Sequence, residues 1–214
     1  MIEIQYFTVN PLQENTYLLI NEKKDCIIID PGCYFEEERK ELLQYIEKEG
    51  LNVTRLLNTH CHFDHIFGNR LVAKTYNVGL EIHRLEQPVL DRSPQVGVMY
   101  NIPFEPSPMP ARYIEEGEKI LFGQHELDVL FTPGHSPGSV SFYCAEEGFV
   151  IGGDVLFYQS IGRTDLPGGH HATLLNSIRQ QLFVLPDTVK VYPGHGQPTT
   201  IGFEKKHNPF LSEG

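Results

Sequence analysis

The sequence predicts a layered α/β domain, on three observations. Strand-like and helix-like segments alternate in both halves of the chain. No linker interrupts the 214 residues, and no internal repeat is visible. The hydrophobic fraction is 40% and the charged fraction 21%, which suits a globular chain able to bury a core without disulfide staples.

The elements follow in order. Ile2 to Val9, Thr16 to Ile20 and Asp25 to Asp30 read as three strands of a meander. The third is apolar enough to be buried on both faces, and it breaks at Pro31-Gly32. Glu36 to Glu49 carries Leu42, Leu43 and Ile46 at helical spacing and is closed by Gly50. Its opening run of three glutamates suits the positive end of a helix dipole. Val53 to Asn58 is a short strand that feeds a histidine cluster, and Gly68 to Tyr76 is the helix after it. Leu80 to His83 is strand-like. The Pro- and Met-rich stretch from Gln87 to Arg112 reads as a short helix and a long loop. Strands resume at Lys119 to Leu121, His125 to Phe131, Ser139 to Cys144 and Gly148 to Ile151. Thr173 to Leu185 is a helix, Lys190 to Tyr192 the last strand, and a short helix closes the chain from Gly202.

Composition excludes several classes. Seventeen basic against 28 acidic residues give a formal charge of −11, the wrong sign for a nucleic-acid binder. No run of about 18 apolar residues exists to span a membrane. The N-terminus has no basic segment followed by an apolar one, so a cytoplasmic protein is expected. Four cysteines without CxxC spacing are expected to be buried or free thiols.

The chemistry concentrates in Thr59-His60-Cys61-His62-Phe63-Asp64-His65. Three imidazoles and a carboxylate within six residues, just after a strand, have no packing rationale. Neutral imidazole is a common ligand for zinc and related metals. Alternation along the turn would aim His60 and His62 one way, Asp64 and His65 at a neighbouring point. One loop cannot close a coordination sphere, so further donors are sought after other strands. His135 in Thr132-Pro133-Gly134-His135, Asp154 in Gly152-Gly153-Asp154 and His195 in Pro193-Gly194-His195-Gly196 fit, each beside small residues that let backbone approach closely.

In this order, His60-x-His62-x-Asp64-His65, His135, Asp154 and His195 resemble the metallo-β-lactamase-fold hydrolases. The match runs from Asp30-Pro31-Gly32 to His195. Thr132 to Gly138, Ser160 to Asp165 and Asn208-Pro209-Phe210 are similar to the compact, glyoxalase II-like branch. The resemblance implies a four-layer αβ/βα sandwich of two mixed sheets flanked by helices. It implies a single domain over 1–214, without the extra C-terminal helical domain of larger glyoxalase II enzymes. It implies two divalent metal ions, zinc first, with iron and manganese as alternatives. His60, His62 and His135 would hold one, Asp64, His65 and His195 the other, with Asp154 bridging. A hydroxide between the metals would attack the carbonyl of a small thioester or ester, hydroxyacylglutathione-like, and Asp64 would orient the water or carry its proton. Only 19 residues follow His195, with Lys205 and Lys206 as their cations, so the identity of the thiol stays open. So does a second chemistry. The persulfide dioxygenases keep the same motif around one iron, at the positions of His60, His135 and Asp154. A secreted β-lactamase is disfavoured because that group typically has Cys at the position where Asp154 stands.

Other residues are assigned weaker roles. Cys61 is structural. Arg163 and Asp165 form an ion pair, beside the site or on a structural loop. His83 is read as a core histidine rather than one near the site, and His170 and His171 as exposed loop residues rather than a third metal site. Phe157, Tyr158 and Tyr100 are assigned to core packing, with the lining of a pocket as the alternative.

Overall fold

The computed structural model describes residues 1–211. The chain forms two compact units, residues 1–114 and the residues from 115 on.

The first unit is built on a six-stranded sheet of order β1-β2-β3-β4-β5-β6. Strands β1 (Glu3–Val9), β2 (Glu14–Ile20) and β3 (Asp25–Ile29) form the expected antiparallel meander. From β3 the direction stays constant: β4 (Asn52–Leu57), β5 (Leu80–His83) and β6 (Arg112–Ile114) add in parallel. Parallel neighbours need crossovers, and helices α1 (Glu36–Lys48), α2 (Asn69–Tyr76) and α3 (Gln87–Met99) supply them. Leu42 and Ile46 of α1, Val72 of α2 and Leu90 of α3 join Leu18, Cys26, Ile28, Leu56 and Ile82 of the sheet in one apolar cluster. On the other face of β3, Ile27 and Ile29 are also fully buried. Helix α1 is capped by its own Glu38, whose carboxylate accepts from the N–H groups of Tyr34 and Phe35 at 2.8 and 2.9 Å.

The second unit carries a six-stranded sheet of order β14-β13-β10-β9-β8-β7. Its members are β7 (Lys119–Phe122), β8 (His125–Phe131), β9 (Val140–Cys144), β10 (Phe149–Gly153), β13 (Lys190–Pro193) and β14 (Thr199–Thr200). A hairpin of β11 (Leu156–Phe157) and β12 (Ser160–Ile161) stands apart from it. Helix α4 (His171–Ser177) runs into a wide turn at Ile178–Leu182, and α5 (Ile201–His207) follows β14. Leu174, Ile178, Leu182 and Ile201 pack with Val150 and Val191 of the sheet.

Three expectations need correction. The stretch after Gln87 holds a helix as long as α1, with Pro88 in its first turn and Pro94 inside. The prolines hid it, because they carry no N–H and break the apolar periodicity. The helix expected from Thr173 begins at His171, whose preceding residue His170 caps it by accepting from the Thr173 N–H, and its regular part ends at Ser177. Lys190 to Tyr192 is not the last strand, since β14 pairs back onto it. Strand β6 and the β11–β12 hairpin, at two or three residues each, are too short to leave a period.

Candidate metal centre

In the first unit the site lies at the carboxyl ends of parallel strands, the edge where open α/β sheets present their functional groups. Asp30 follows β3, and Asn58, Thr59 and His60 follow β4. His60, Asp64 and His65 are buried and His62 is half-buried. The ring of His60 lies 4.8 Å from that of His62 and 4.1 Å from that of His65, centroid to centroid. Ligand atoms of Asp30, His60 and His65 fall within 4.8 Å of one another. Three crowded imidazoles beside carboxylates form a donor set suited to a divalent cation.

The carboxylate of Asp30 organises this set. Its Oδ1 accepts from the Thr59 N–H at 2.7 Å and from Asn58 Nδ2 at 3.1 Å. Its Oδ2 accepts from Thr59 Oγ1 at 2.5 Å and from His65 Nδ1 at 3.1 Å. Thr59 Oγ1, having spent its proton on Asp30, accepts from His60 Nδ1 at 3.1 Å. One carboxylate thereby places the proton on Nδ1 of both histidines and leaves Nε2 of each as the donor face. His65 Nε2 lies 3.8 Å from Asp64 Oδ2. Asp30 adopts φ 51°, a left-handed conformation that Asp tolerates better than most residues.

The loop that carries the motif is tied down by its backbone. Asn10 Nδ2 donates to the carbonyls of Gly32 and Asp64, each at 3.0 Å. The buried carboxylate of Glu86 accepts from the Cys61 N–H at 2.8 Å, and Ser93 Oγ of α3 donates to the Cys61 carbonyl at 2.7 Å. The Cys61 side chain itself is fully buried, and that burial holds its thiol well above its ordinary pKa, with the Glu86 charge adding to the effect. A thiol buried this completely, in the apolar cluster of the first unit, fits the structural role assigned to it.

In the second unit, β8 and β10 run the same way because each is antiparallel to β9, and β13 is parallel to β10. A donor follows each of the three: His135 after β8, Asp154 after β10, His195 after β13. Asp154 Oδ2 lies 3.5 Å from His135 Nε2 and 3.4 Å from His195 Nε2. His135 Nδ1 donates to the Arg163 carbonyl at 2.7 Å, which turns its Nε2 towards Asp154. Gly162 makes this packing possible. A Cβ there would stand 2.0 Å from the Asp154 carbonyl oxygen and 3.3 Å from His135 Cβ. Each unit therefore groups its own share of the expected donors: His60, His62, Asp64 and His65 in the first, His135, Asp154 and His195 in the second.

The remaining assignments divide. Arg163 and Asp165 form an exposed bidentate pair at 2.7 and 2.8 Å, and hydrogen bonding to Arg163 draws the Asp165 carboxyl down to about 2. His170 and His171 are exposed, and His83 is buried, its Nδ1 accepting from the Leu85 N–H at 3.4 Å. All four cysteines are buried free thiols. The core role given to two tyrosines is wrong. Tyr100 is 58% exposed and Tyr158 43%, Tyr100 stacked beside Phe63 and Tyr158 beside Phe203. Sequence reading missed Thr59, Glu86 and Asn10, and took Asp30 only as the start of a resemblance. A charged residue closing an otherwise apolar buried strand was the available signal for Asp30. Among the described residues, no helix is long and apolar enough to cross a membrane.

Comparison with known proteins places this geometry in a family. Residues 9–195 match the model of the metallo-beta-lactamase superfamily, and the chain belongs to it. It is 41% identical over 205 residues to the probable metallo-hydrolase YqgX of Bacillus subtilis, covering 95% of each chain. It is 36% identical over 215 residues to the hydroxyacylglutathione hydrolase GloC of Haemophilus influenzae, covering 99% of each. Among solved structures, BLEG-1 B3 metallo-beta-lactamase matches with TM-score 0.91 at 37% identity, over 99% of this chain and all of the other. TTHA1623 in a di-iron-bound form matches with TM-score 0.88 at 38% identity, over 97% and 100%. ETHE1 from Myxococcus xanthus matches with TM-score 0.79 at 27% identity, over 97% and 83%. The fold is the metallo-β-lactamase fold, two mixed sheets flanked by helices.

Proposed function

We propose that the chain is a metal-dependent hydrolase of small thioesters that works with two divalent ions. His60, His62 and His135 would hold one ion, Asp64, His65 and His195 the other, with Asp154 between them. The observation that carries this reading is the placement of Asp154. One carboxylate oxygen stands 3.4–3.5 Å from two imidazole nitrogens, one from each ligand set, as a bridging ligand requires. The relative solved in a di-iron-bound form and the relative named hydroxyacylglutathione hydrolase support the metal count and the substrate class.

Ions held by these residues would supply an acidified water and Lewis-acid polarisation of a carbonyl. The chain's own groups do the rest. Asp30 and the Arg163 carbonyl fix the histidine tautomers, so the donor nitrogens are preorganised. Asp64 orients the attacking water and carries its proton to the departing thiolate. A thiolate leaves readily, so no Ser or Cys nucleophile is required.

Elemental analysis of protein expressed with zinc, iron and manganese together tests this reading. About two metals per chain and turnover of a thioester are expected, both lost in His60→Ala and Asp154→Ala. A single iron per chain with oxygen uptake on a persulfide would replace the hydrolase with the dioxygenase reading, which needs only His60, His135 and Asp154. Likeness to a B3 metallo-beta-lactamase puts a chromogenic cephalosporin in the same panel, and lactam turnover without thioester turnover would reassign the substrate.

A further inference from the structure

We propose that Phe63 and Tyr100 form the face that selects the acyl group, and that the preferred substrates are thioesters of medium-chain or aromatic acids. This rests on the thioester hydrolase reading and narrows it.

Phe63 lies between His62 and Asp64 in the chain and opens the short 3-10 turn Phe63–His65, so the turn that holds its ring also carries two of the proposed ligands. The ring is half-buried and stacks with Tyr100, centroids 5.7 Å apart and planes 27° from parallel. Phe67 backs it at 5.6 Å and packs in turn on Tyr34 at 4.8 Å and Phe104 at 4.9 Å. The result is an aromatic wall running from the metal motif to the end of α3.

That wall is rigid where it is exposed. Tyr100 ends α3 in a Schellman motif: the Ile102 N–H donates to the Gly97 carbonyl at 2.8 Å, the Asn101 N–H to Val98 at 3.0 Å, and Asn101 takes φ 57°. Tyr34 Oη donates to the Pro103 carbonyl at 3.2 Å and fixes the segment beyond. Folding gains little from an aromatic ring left 58% exposed, with Val98 and Met99 at 62% and 81% beside it. A large flat ring, fixed at low entropic cost next to a metal motif, suits an apolar group. Charge points the same way. Residues 98–104 carry no cation, and nearby Arg70 already pairs with Glu105 at 3.3 Å. An anionic group has little to hold it on this face.

Two measurements on the metal-loaded protein test the proposal. The first compares kcat/KM for S-octanoyl- and S-acetyl-N-acetylcysteamine. Wild type should favour the octanoyl ester, and that preference should fall roughly three- to tenfold in Tyr100→Ala, the scale of one aromatic contact. The second uses Tyr100→Trp, the sole indole in a chain that has no Trp. Octanoate should shift its emission to the blue, and glutathione should not. Thioester turnover with an unmoved preference, or no spectral response to millimolar octanoate, would overturn the face and leave the hydrolase standing. A blue shift with no thioester turned over would overturn the hydrolase reading instead.

Discussion

Asp30→Asn isolates the role of the buried carboxylate that orders the histidine cluster. The backbone at 30 is left-handed, and Asn is among the residues that accept that conformation, so the change removes charge without adding backbone strain. The wild-type carboxylate takes four donors, two on each oxygen, at 2.5–3.1 Å. A carboxamide has one accepting oxygen. Whichever way it turns, two donors face an NH2 group. Each buried donor that loses its acceptor costs about 1–3 kcal/mol, and the Thr59 hydroxyl can rotate to find relief, so a net loss of about 2–4 kcal/mol is expected. With Nδ1 of His65 and the Thr59 relay to His60 no longer fixed, metal affinity should fall about 10–100-fold. Zinc competition against a chromogenic chelator reads the affinity, and urea unfolding of the same preparation reads the stability. Wild-type affinity in a folded Asp30→Asn protein would refute the claim that this carboxylate orients the ligands.

Three further outcomes are expected. Glu86→Ala leaves the Cys61 N–H without its buried acceptor and should cost about 1–3 kcal/mol in urea unfolding; an unchanged midpoint would show that the loop does not depend on this bond. Gly162→Ala sets a methyl against the Asp154 carbonyl and should cost about 1–3 kcal/mol while weakening zinc retention on dialysis; full retention would mean that the turn yields freely. Burial raises the thiols of Cys26 and Cys33 from 9.0 to about 12. The folded state then keeps protons that the unfolded chain releases, so this stabilisation is complete below pH 9 and is lost as pH rises towards 12, by about 1.4 kcal/mol per pH unit for each thiol. Urea midpoints from pH 8 to pH 11 check the slope, and a flat profile would contradict it.

Much of the fold was legible because its strands are apolar runs cut by Pro and Gly. The meander, α1 and α2 all fall within a few residues of their expected bounds. Helix α3 was under-read because Pro88 and Pro94 sit where a periodic pattern would continue. The candidate donors His60, His62, Asp64 and His65 were visible because their spacing is a local property, whereas His135, Asp154 and His195 stood out only by their place in turns after strands. The Asp30 network was not, because its partners lie 28 to 35 positions away in sequence and meet only once β3 and β4 pair in parallel. Glu86 lies 25 positions from Cys61 and carries no local mark at all. Tyr100 was misassigned because composition alone cannot distinguish an aromatic ring in a core from one displayed at a helix end.

In the second unit, Asp154 comes directly after the last residue of β10, and His195 two residues after the last residue of β13. Their positions thus rest largely on ladder hydrogen bonds, and in the connection beyond β10 Gly162, packed against the Asp154 carbonyl, is the further residue that must stay small. Such an arrangement separates two kinds of change. Turns such as the tip of the β11–β12 hairpin can be lengthened, shortened or exchanged while the donors stay put. A register slip of one residue between β10 and β13 would instead turn Asp154 or His195 to the opposite face. Engineering of new substrate preferences therefore has room at the loop tips, away from Gly162 and Arg163, and none in the pairing of these two strands.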